Sequence, residues 1–250
     1  MNVSLYQAAS ALNATDRWQE TIADNLASSS IPGFKKQDFS FAAVQAGLLP
    51  SGPGHAAGGA RHLQMPLGVS ATNFRPGELR PSPSKTDLAI EGPGFFEVQL
   101  PNGATAYTRD GEFQINASGQ LVTKEGNVVL GEAGPIQLDT RNSAPLSISP
   151  TGDVSQGADL KGKIKLVEFS DQRLLTQISG GYFTAGHPNL SASASAASRV
   201  RQGFLEGANT SVVLEMANLM TAMRTFEANQ RMVQIQDDRT SKAIGELSPG

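Results

Sequence analysis

A chain of 250 residues with 39% hydrophobic and 6% aromatic content holds one large domain or two small ones with a modest core. Charged residues make up 17%, below the usual quarter, and a net charge of −3 lacks the basic excess that a nucleic-acid surface needs. Cysteine is absent, which removes disulfides, thiolate nucleophiles and cysteine-based metal sites.

Leu5, Ala8, Leu12, Thr15, Gln19, Ile22 and Leu26 recur in steps of 3 and 4. That alternation keeps one seam of a helix turned toward a partner helix. A helix is expected from Val3 to Ser28, within an N-terminal segment 1–30. Ser28-Ser29-Ser30 and Ile31-Pro32-Gly33 end it, because proline cannot continue the hydrogen-bond ladder. Trp18, beside the seam, reads equally as an anchor between subunits or as a flank of a helix pair within one chain. The first basic residue is Arg17 and no apolar run of leader length follows, so no cleaved secretory leader is expected. No stretch has the apolar length of a membrane span either.

Phe34, Lys35, Lys36, Phe39 and Phe41 open a connector over 31–68. Seven Gly or Pro residues between Pro50 and Pro66 predict an extended or mobile segment. From Val69 the pattern turns to short strands: Phe95 to Leu100, Phe113 to Ile115, Gln120 to Val122 and Asn127 to Leu130. Asn102-Gly103, Asp110-Gly111, Ser118-Gly119 and Glu125-Gly126 separate them, their glycines 8, 8 and 7 residues apart, the spacing of successive hairpins. A β domain over 69–190 is expected, then a Ser/Ala linker over 191–204 and a C-terminal helix within 205–250. In that helix Val212, Met216, Leu219, Met223, Phe226, Gln230 and Val233 form a second 3-4 seam. The fold class is α+β, with terminal helices pairing as a coiled coil and a central all-β domain. The apolar anchors of the two seams offset only part of the entropy of ordering them. Both ends should therefore order against each other and against neighbouring subunits, not alone.

Residues that could carry chemistry have ordinary readings. Gly92-Pro93-Gly94 lacks the third glycine of a dinucleotide fingerprint and an N–H at Pro93, and a strand follows it. His55, His62 and His187 lack metal-ligand spacing. Asp87 with Glu91, Asp110 with Glu112, and Asp237 with Asp238 predict no acid pair across a cleft. No G-x-S-x-G elbow is present. No catalytic, cofactor or metal residue is assigned, and no cofactor is expected. Met216, Met220, Met223 and Met232 suit a core that adapts to imperfect packing or is shared between chains.

Four stretches in order resemble the flagellar axial proteins of bacteria, of the rod and hook class. Ile22-Ala23-Asp24-Asn25-Leu26-Ala27 with Ile31-Pro32-Gly33-Phe34-Lys35 resembles the N-terminal signature. Asp87-Leu88-Ala89-Ile90-Glu91-Gly92-Pro93-Gly94-Phe95-Phe96, continued by Tyr107-Thr108-Arg109-Asp110-Gly111 and Gly119-Gln120-Leu121-Val122, is similar to the central domain. Gln202-Gly203-Phe204-Leu205-Glu206-Gly207-Ala208-Asn209, then Glu215-Met216 through Arg224-Thr225-Phe226-Glu227-Ala228-Asn229, resembles the C-terminal signature. Asp24, Ser28 to Ser30 and Gly207-Ala208 depart from it, which blurs the rod subtype.

The resemblance implies a structural subunit of the basal-body rod, of the proximal- or distal-rod type, and not an enzyme. It implies helical packing, with the terminal segments 1–30 and 205–247 as an inner tube and the β domain outside. Implied partners are copies of itself, other rod and hook subunits, and the type III export apparatus, with no nucleic acid and no membrane insertion. The implied location is the periplasm-spanning rod of the basal body, reached without a cleaved signal peptide. The expected assembly interface comprises Leu5, Leu12, Trp18, Ile22, Asn25, Leu26, Gly33, Phe34, Val212, Met216, Leu219, Met223, Phe226 and Val233. Other readings are a hook-type axial protein, a non-flagellar β-module adhesin and a hydrolase with a β domain.

Overall fold

Helix α1, Val3–Ala27, contains neither Gly nor Pro. The structure is a computed structural model that describes residues 3–49, 61–142, 144–195 and 197–247. Two buried threonines of α1 satisfy their own hydroxyls, Thr15 Oγ1 donating to Ala11 O at 2.7 Å and Thr21 Oγ1 to Arg17 O at 2.8 Å. That local bonding lets a polar side chain sit inward without an orphaned donor. The helix stops at the Ser28 to Gly33 turn, where Ile31 N–H donates to Ser28 O at 3.1 Å.

Strands β1, Gln37–Leu49, and β2, Arg61–Thr72, pair as a two-stranded ribbon. Within the expected connector 31–68, Gln37–Leu49 and the chain from Arg61 are strand, 31–36 holds a turn, and 50–60 lies outside the described residues. Trp18 of α1 meets Phe41 edge to face at 5.6 Å, and Phe41 meets Phe39 at 5.2 Å. Ser10 Oγ donates to Pro66 O at 2.6 Å. Helix α2, Val212–Leu247, runs for 36 residues, about 54 Å at 1.5 Å per residue. Asn229 Nδ2 of α2 donates to Thr15 Oγ1 of α1 at 3.1 Å. The helices and the ribbon up to Ala71 form one compact unit.

The second unit comprises Ala27–Lys36 and Thr72–Ser211. Its strands are β3 Leu79–Pro81, β4 Leu88–Glu91, β5 Phe95–Gln99, β6 Thr105–Thr108, β7 Phe113–Ile115, β8 Leu121–Thr123 and β9 Val128–Gly131. There follow β10 Gly134–Pro135, β11 Leu146–Ile148, β12 Asp153–Gln156, β13 Asp159–Lys163 and β14 Leu166–Phe169. The last are β15 Thr176–Ile178, β16 Tyr182–Thr184, β17 Ala192–Ala194, β18 Arg199–Gln202 and β19 Phe204–Glu206. The main sheet has the order β15-β16-β6-β5-β9-β8-β7, with β10 on β9 and β14 joining β5 to β17. Smaller sheets pair β11-β12-β13, β18 with β4, and β19 with β3. Strand β5 pairs antiparallel with β6, β9 and β14, the first of these through a hairpin.

Alternation along β5 builds the interior. Phe96 and Val98 enter one cluster with Leu88, Phe113, Leu121 and Val129. Phe95 enters another with Val167, Phe169, Leu175 and Phe183. Successive side chains leave a strand on opposite faces, so β5 is covered on both.

Three of the four expected glycine turns close hairpins, with Gly103, Gly119 and Gly126 at φ of 81°, 80° and 87°. Asp110-Gly111 does not. β6 pairs with β5 and β16 while β7 pairs with β8, so Arg109 to Glu112 is a crossover between separated strands. Gly111 is needed there for close approach: a Cβ would lie 1.7 Å from Leu88 O. The segment 191–204, read as a linker, instead carries β17, β18 and the start of β19, and α2 begins at Val212. Those strands close the unit because Arg199 to Gln202 pairs residue for residue with Glu91 to Leu88.

Phe96 is fully buried and meets Phe113 edge to face at 5.0 Å. Phe96→Ala is expected to destabilise the β unit by about 3–5 kcal/mol, read by urea denaturation followed through the sheet's circular dichroism.

Candidate functional site

Lys35, Arg109 and Glu206 come from three separate signature stretches, and the second unit brings them together. Lys35 Nζ pairs with Glu206 Oε1 and also donates to Arg75 O at 3.1 Å. Arg109 Nη1 lies 3.4 Å from Glu206 Oε2, and its Nη2 donates to Gly92 O at 2.7 Å. Gly77 N–H donates to Glu206 Oε1 at 2.8 Å. The Arg109 guanidinium lies 4.9 Å over the Phe95 ring. Lys35 and Glu206 are each 1% exposed and Arg109 is 4% exposed. Burial lowers the pKa of both cations, and the Glu206 carboxylate opposes it. Sealed in this way, the Lys35 amine is structural and not a nucleophile.

Backbone geometry fits the triad. Gly33 N–H donates to Glu206 O at 2.6 Å, and Gly33 adopts φ +67°. A Cβ there would lie 2.3 Å from the Arg109 carbonyl, so both conformation and space require glycine. Two amides fasten the neighbouring chain. Asn209 Oδ1 accepts from Lys36 N–H at 2.7 Å while its Nδ2 donates to Asn73 O at 2.7 Å and Arg75 O at 3.1 Å. In the helical unit, Asn25 accepts from Gln37 N–H at 2.8 Å and donates to Gln37 O at 2.9 Å. Sequence reading singled out neither Lys35, Arg109, Glu206 nor Asn209 as a site. Their presence inside the signature stretches was the available signal.

Asp110 is 6% exposed, and its Oδ1 accepts from Glu112 N–H at 2.9 Å. Burial pushes its carboxyl up to about 7, opposed by that backbone bond and reinforced by nearby Glu125 and Glu112. Tyr182 OH donates to Glu125 Oε2 at 2.6 Å, and burial first, then this bond, raises the phenol pKa.

The remaining chemical candidates resolve into structural roles. Asp87 accepts from Ser82 Oγ, Glu91 pairs with Arg201 at 2.9 Å on the surface, and Glu112 with Lys124 at 3.4 Å. Gly94 N–H donates to Ser198 Oγ at 2.8 Å, and Cβ atoms at Gly92 or Gly94 would lie under 3 Å from Ser198. The Gly-Pro-Gly turn is therefore packed against a serine. His187 Nδ1 accepts from Asn189 N–H at 3.2 Å in an exposed loop, and His55 lies outside the described residues. Among the described residues no three His, Cys, Asp or Glu side chains gather as a metal site.

The expected interface residues divide. Ile22, Asn25 and Phe34 are 2%, 2% and 4% exposed, Gly33 is buried, and Leu12, Trp18 and Leu26 are half-buried. Trp18 packs on Phe41 of β1 in its own chain. The side chain of Leu5 lies outside the described residues. On α2, Leu219, Phe226 and Val233 are half-buried, whereas Val212, Met216 and Met223 are 45%, 47% and 52% exposed. Among the described residues of α2 the fully buried positions are Glu215 and Ala222, each one residue before a seam methionine. The inward stripe is thus rotated from the 3-4 seam.

Comparison with known proteins decides the family. Residues 5–35 match the family described as flagella basal body rod protein. Residues 89–156 match the flagellar hook protein FlgE/F/G D1 domain, and 201–246 the flagellar basal body rod FlgEFG protein C-terminal family. The flagellar basal-body rod protein FlgF of Mesorhizobium japonicum is 33% identical, covering 99% of this chain and 100% of that protein. The chain belongs to the flagellar basal-body rod protein family. FlgG of Borreliella burgdorferi is 32% identical over 94% of this chain and 95% of its own, and FlgF of Escherichia coli 28% over 99% of each. As a member, the chain is a structural rod subunit of the flagellar basal body and not an enzyme. The triad joins residues from the segments that all three family matches cover or adjoin.

Glu206 carries two buried cations, so Glu206→Met strands both, while Lys35→Met leaves a one-to-one Arg109–Glu206 pair. Glu206→Met is expected to cost about 3–5 kcal/mol and Lys35→Met measurably less, compared by hydrogen exchange of the β5 amides. The Asp110 site favours the neutral acid, so that contribution is complete below pH 3.8 and lost as pH rises through about 7. Asp110→Asn should stabilise the β unit by roughly 2–4 kcal/mol at pH 8 and by little near pH 4. Urea midpoints measured across that range check the slope.

Proposed function

We propose that this rod subunit polymerises through α1 and α2, pairing them as a coiled coil within the chain and against neighbours. The product is a stiff, torque-transmitting tube. The observation that carries the reading is the outward stripe of α2: Val212, Met216, Met220 and Met223 are 45%, 47%, 56% and 52% exposed. Scattered apolar residues are normal on a surface, but a continuous stripe on one helix face marks a contact. Leu12, Ile22, Leu26, Leu219, Phe226 and Val233 would form the helix pair, and Val212, Met216 and Met223 would meet other subunits. Asn25, Gly33 and Phe34 set the course of the chain after α1.

Its partners are copies of itself, other rod and hook subunits and, during delivery, the type III export apparatus. Export as an unfolded chain through that apparatus to the periplasm-spanning rod suits ends that order only on docking. No helix among the described residues is long and apolar enough to cross a membrane, which agrees with a subunit that is not inserted. Relatives named as rod proteins align over nearly their whole lengths, which favours rod over hook.

Met223→Asp should leave the monomer's fold unchanged, because the side chain is exposed, yet abolish incorporation into the rod. Circular dichroism and electron microscopy of basal bodies from cells carrying the variant would show this. Normal rods would refute the interface. Wild-type monomer should also gain helical signal on assembly; terminal segments already fully helical in dilute solution would contradict ordering on docking.

A further inference from the structure

Four of the six methionines of this chain lie on α2. Met216, Met220 and Met223 follow at steps of 4 and 3, which puts three thioethers on one helix face. They are 47%, 56% and 52% exposed, while Glu215 and Ala222 on the inward face are 3% and 0% exposed. Met232 is 59% exposed but lies on another side of α2, and Met65 of β2 is half-buried. Leucine would cover the same stripe with equal apolarity. A thioether differs in one chemical respect: mild peroxide oxidises it.

We propose that Met216, Met220 and Met223 form an oxidation-sensitive assembly surface, modified by hydrogen peroxide in the free subunit and shielded once a neighbouring subunit covers it. The proposal rests on the assembly reading above. In each step the sulfur lone pair attacks one peroxide oxygen, the O–O bond breaks and an S–O bond forms. Sulfur loses two electrons, and the other peroxide oxygen leaves as water after proton transfer. The product sulfoxide is polar and a strong acceptor, so a face that was apolar now resists burial without a donor. Methionine sulfoxide reductases reverse the change, one enzyme for each sulfoxide epimer. Three modified sites on one stripe act together, since a neighbouring helix lying along it would have to bury all of them.

The test treats the full chain with dilute hydrogen peroxide and follows each methionine by peptide mass spectrometry. Untreated, oxidised and reductase-repaired protein are then sedimented with companion rod subunits. The stripe methionines should oxidise about fivefold or more faster than Met65. Oxidised protein should enter the polymer at least roughly tenfold less, and repair should restore it. The variant Met216→Leu/Met220→Leu/Met223→Leu should assemble with or without peroxide. Equal assembly of oxidised and untreated wild type would overturn the proposal, as would a leucine variant as peroxide-sensitive as the wild type. Untreated protein that fails to assemble strikes the assembly reading itself. Assembly that peroxide does not alter strikes this proposal alone.

Discussion

The β unit is organised around a buried charge imbalance: two cations, Lys35 and Arg109, share the single carboxylate of Glu206. Ionised groups removed from water are tolerated only when paired and hydrogen-bonded, so each partner constrains the backbone that carries it. Lys35 draws in the segment that follows α1, Arg109 the crossover after β6, and Glu206 the end of β19. The same carboxylate takes a backbone N–H from Gly77, and the carbonyl of Glu206 takes one from Gly33. A hydrophobic cluster of equal volume could have been as stable. The ion pairs and N–H bonds onto Glu206 add direction, which apolar contacts lack.

That constraint explains why the β unit begins before the β-rich sequence does. Ala27–Lys36 belongs to it although α1 and β1 on either side belong to the helical unit. Asn209 reinforces the arrangement by binding Lys36, Asn73 and Arg75, the residues just inside the points where the chain enters or leaves the β unit. Asn25 does the corresponding work on Gln37 in the helical unit.

The outward face of α2 has the opposite character. Val212, Met216, Met220 and Met223 keep between 45% and 56% of their surface in water. Burying the remaining apolar area against a neighbouring subunit would add further stabilisation. Methionine adapts to slightly different surroundings, and its thioether is open to oxidants.

The sequence by itself determined what is local: the helical runs, the stop at Ser28 to Gly33, the β middle and the hairpins at Gly103, Gly119 and Gly126. Each follows from neighbouring residues, through periodicity or a required φ. The family, too, was legible in four ordered stretches. Tertiary structure alone decided that Lys35, beside Lys36 and outwardly one of two surface lysines, is buried against a carboxylate 171 residues away. It decided that Asp110-Gly111 crosses between strands and that the Ser/Ala stretch joins the sheets. It also turned Ala222 inward and Met223 outward, because a 3-4 repeat establishes that a stripe is apolar but not which partner covers it. Contacts between distant residues leave no period in the chain, and only packing reveals them.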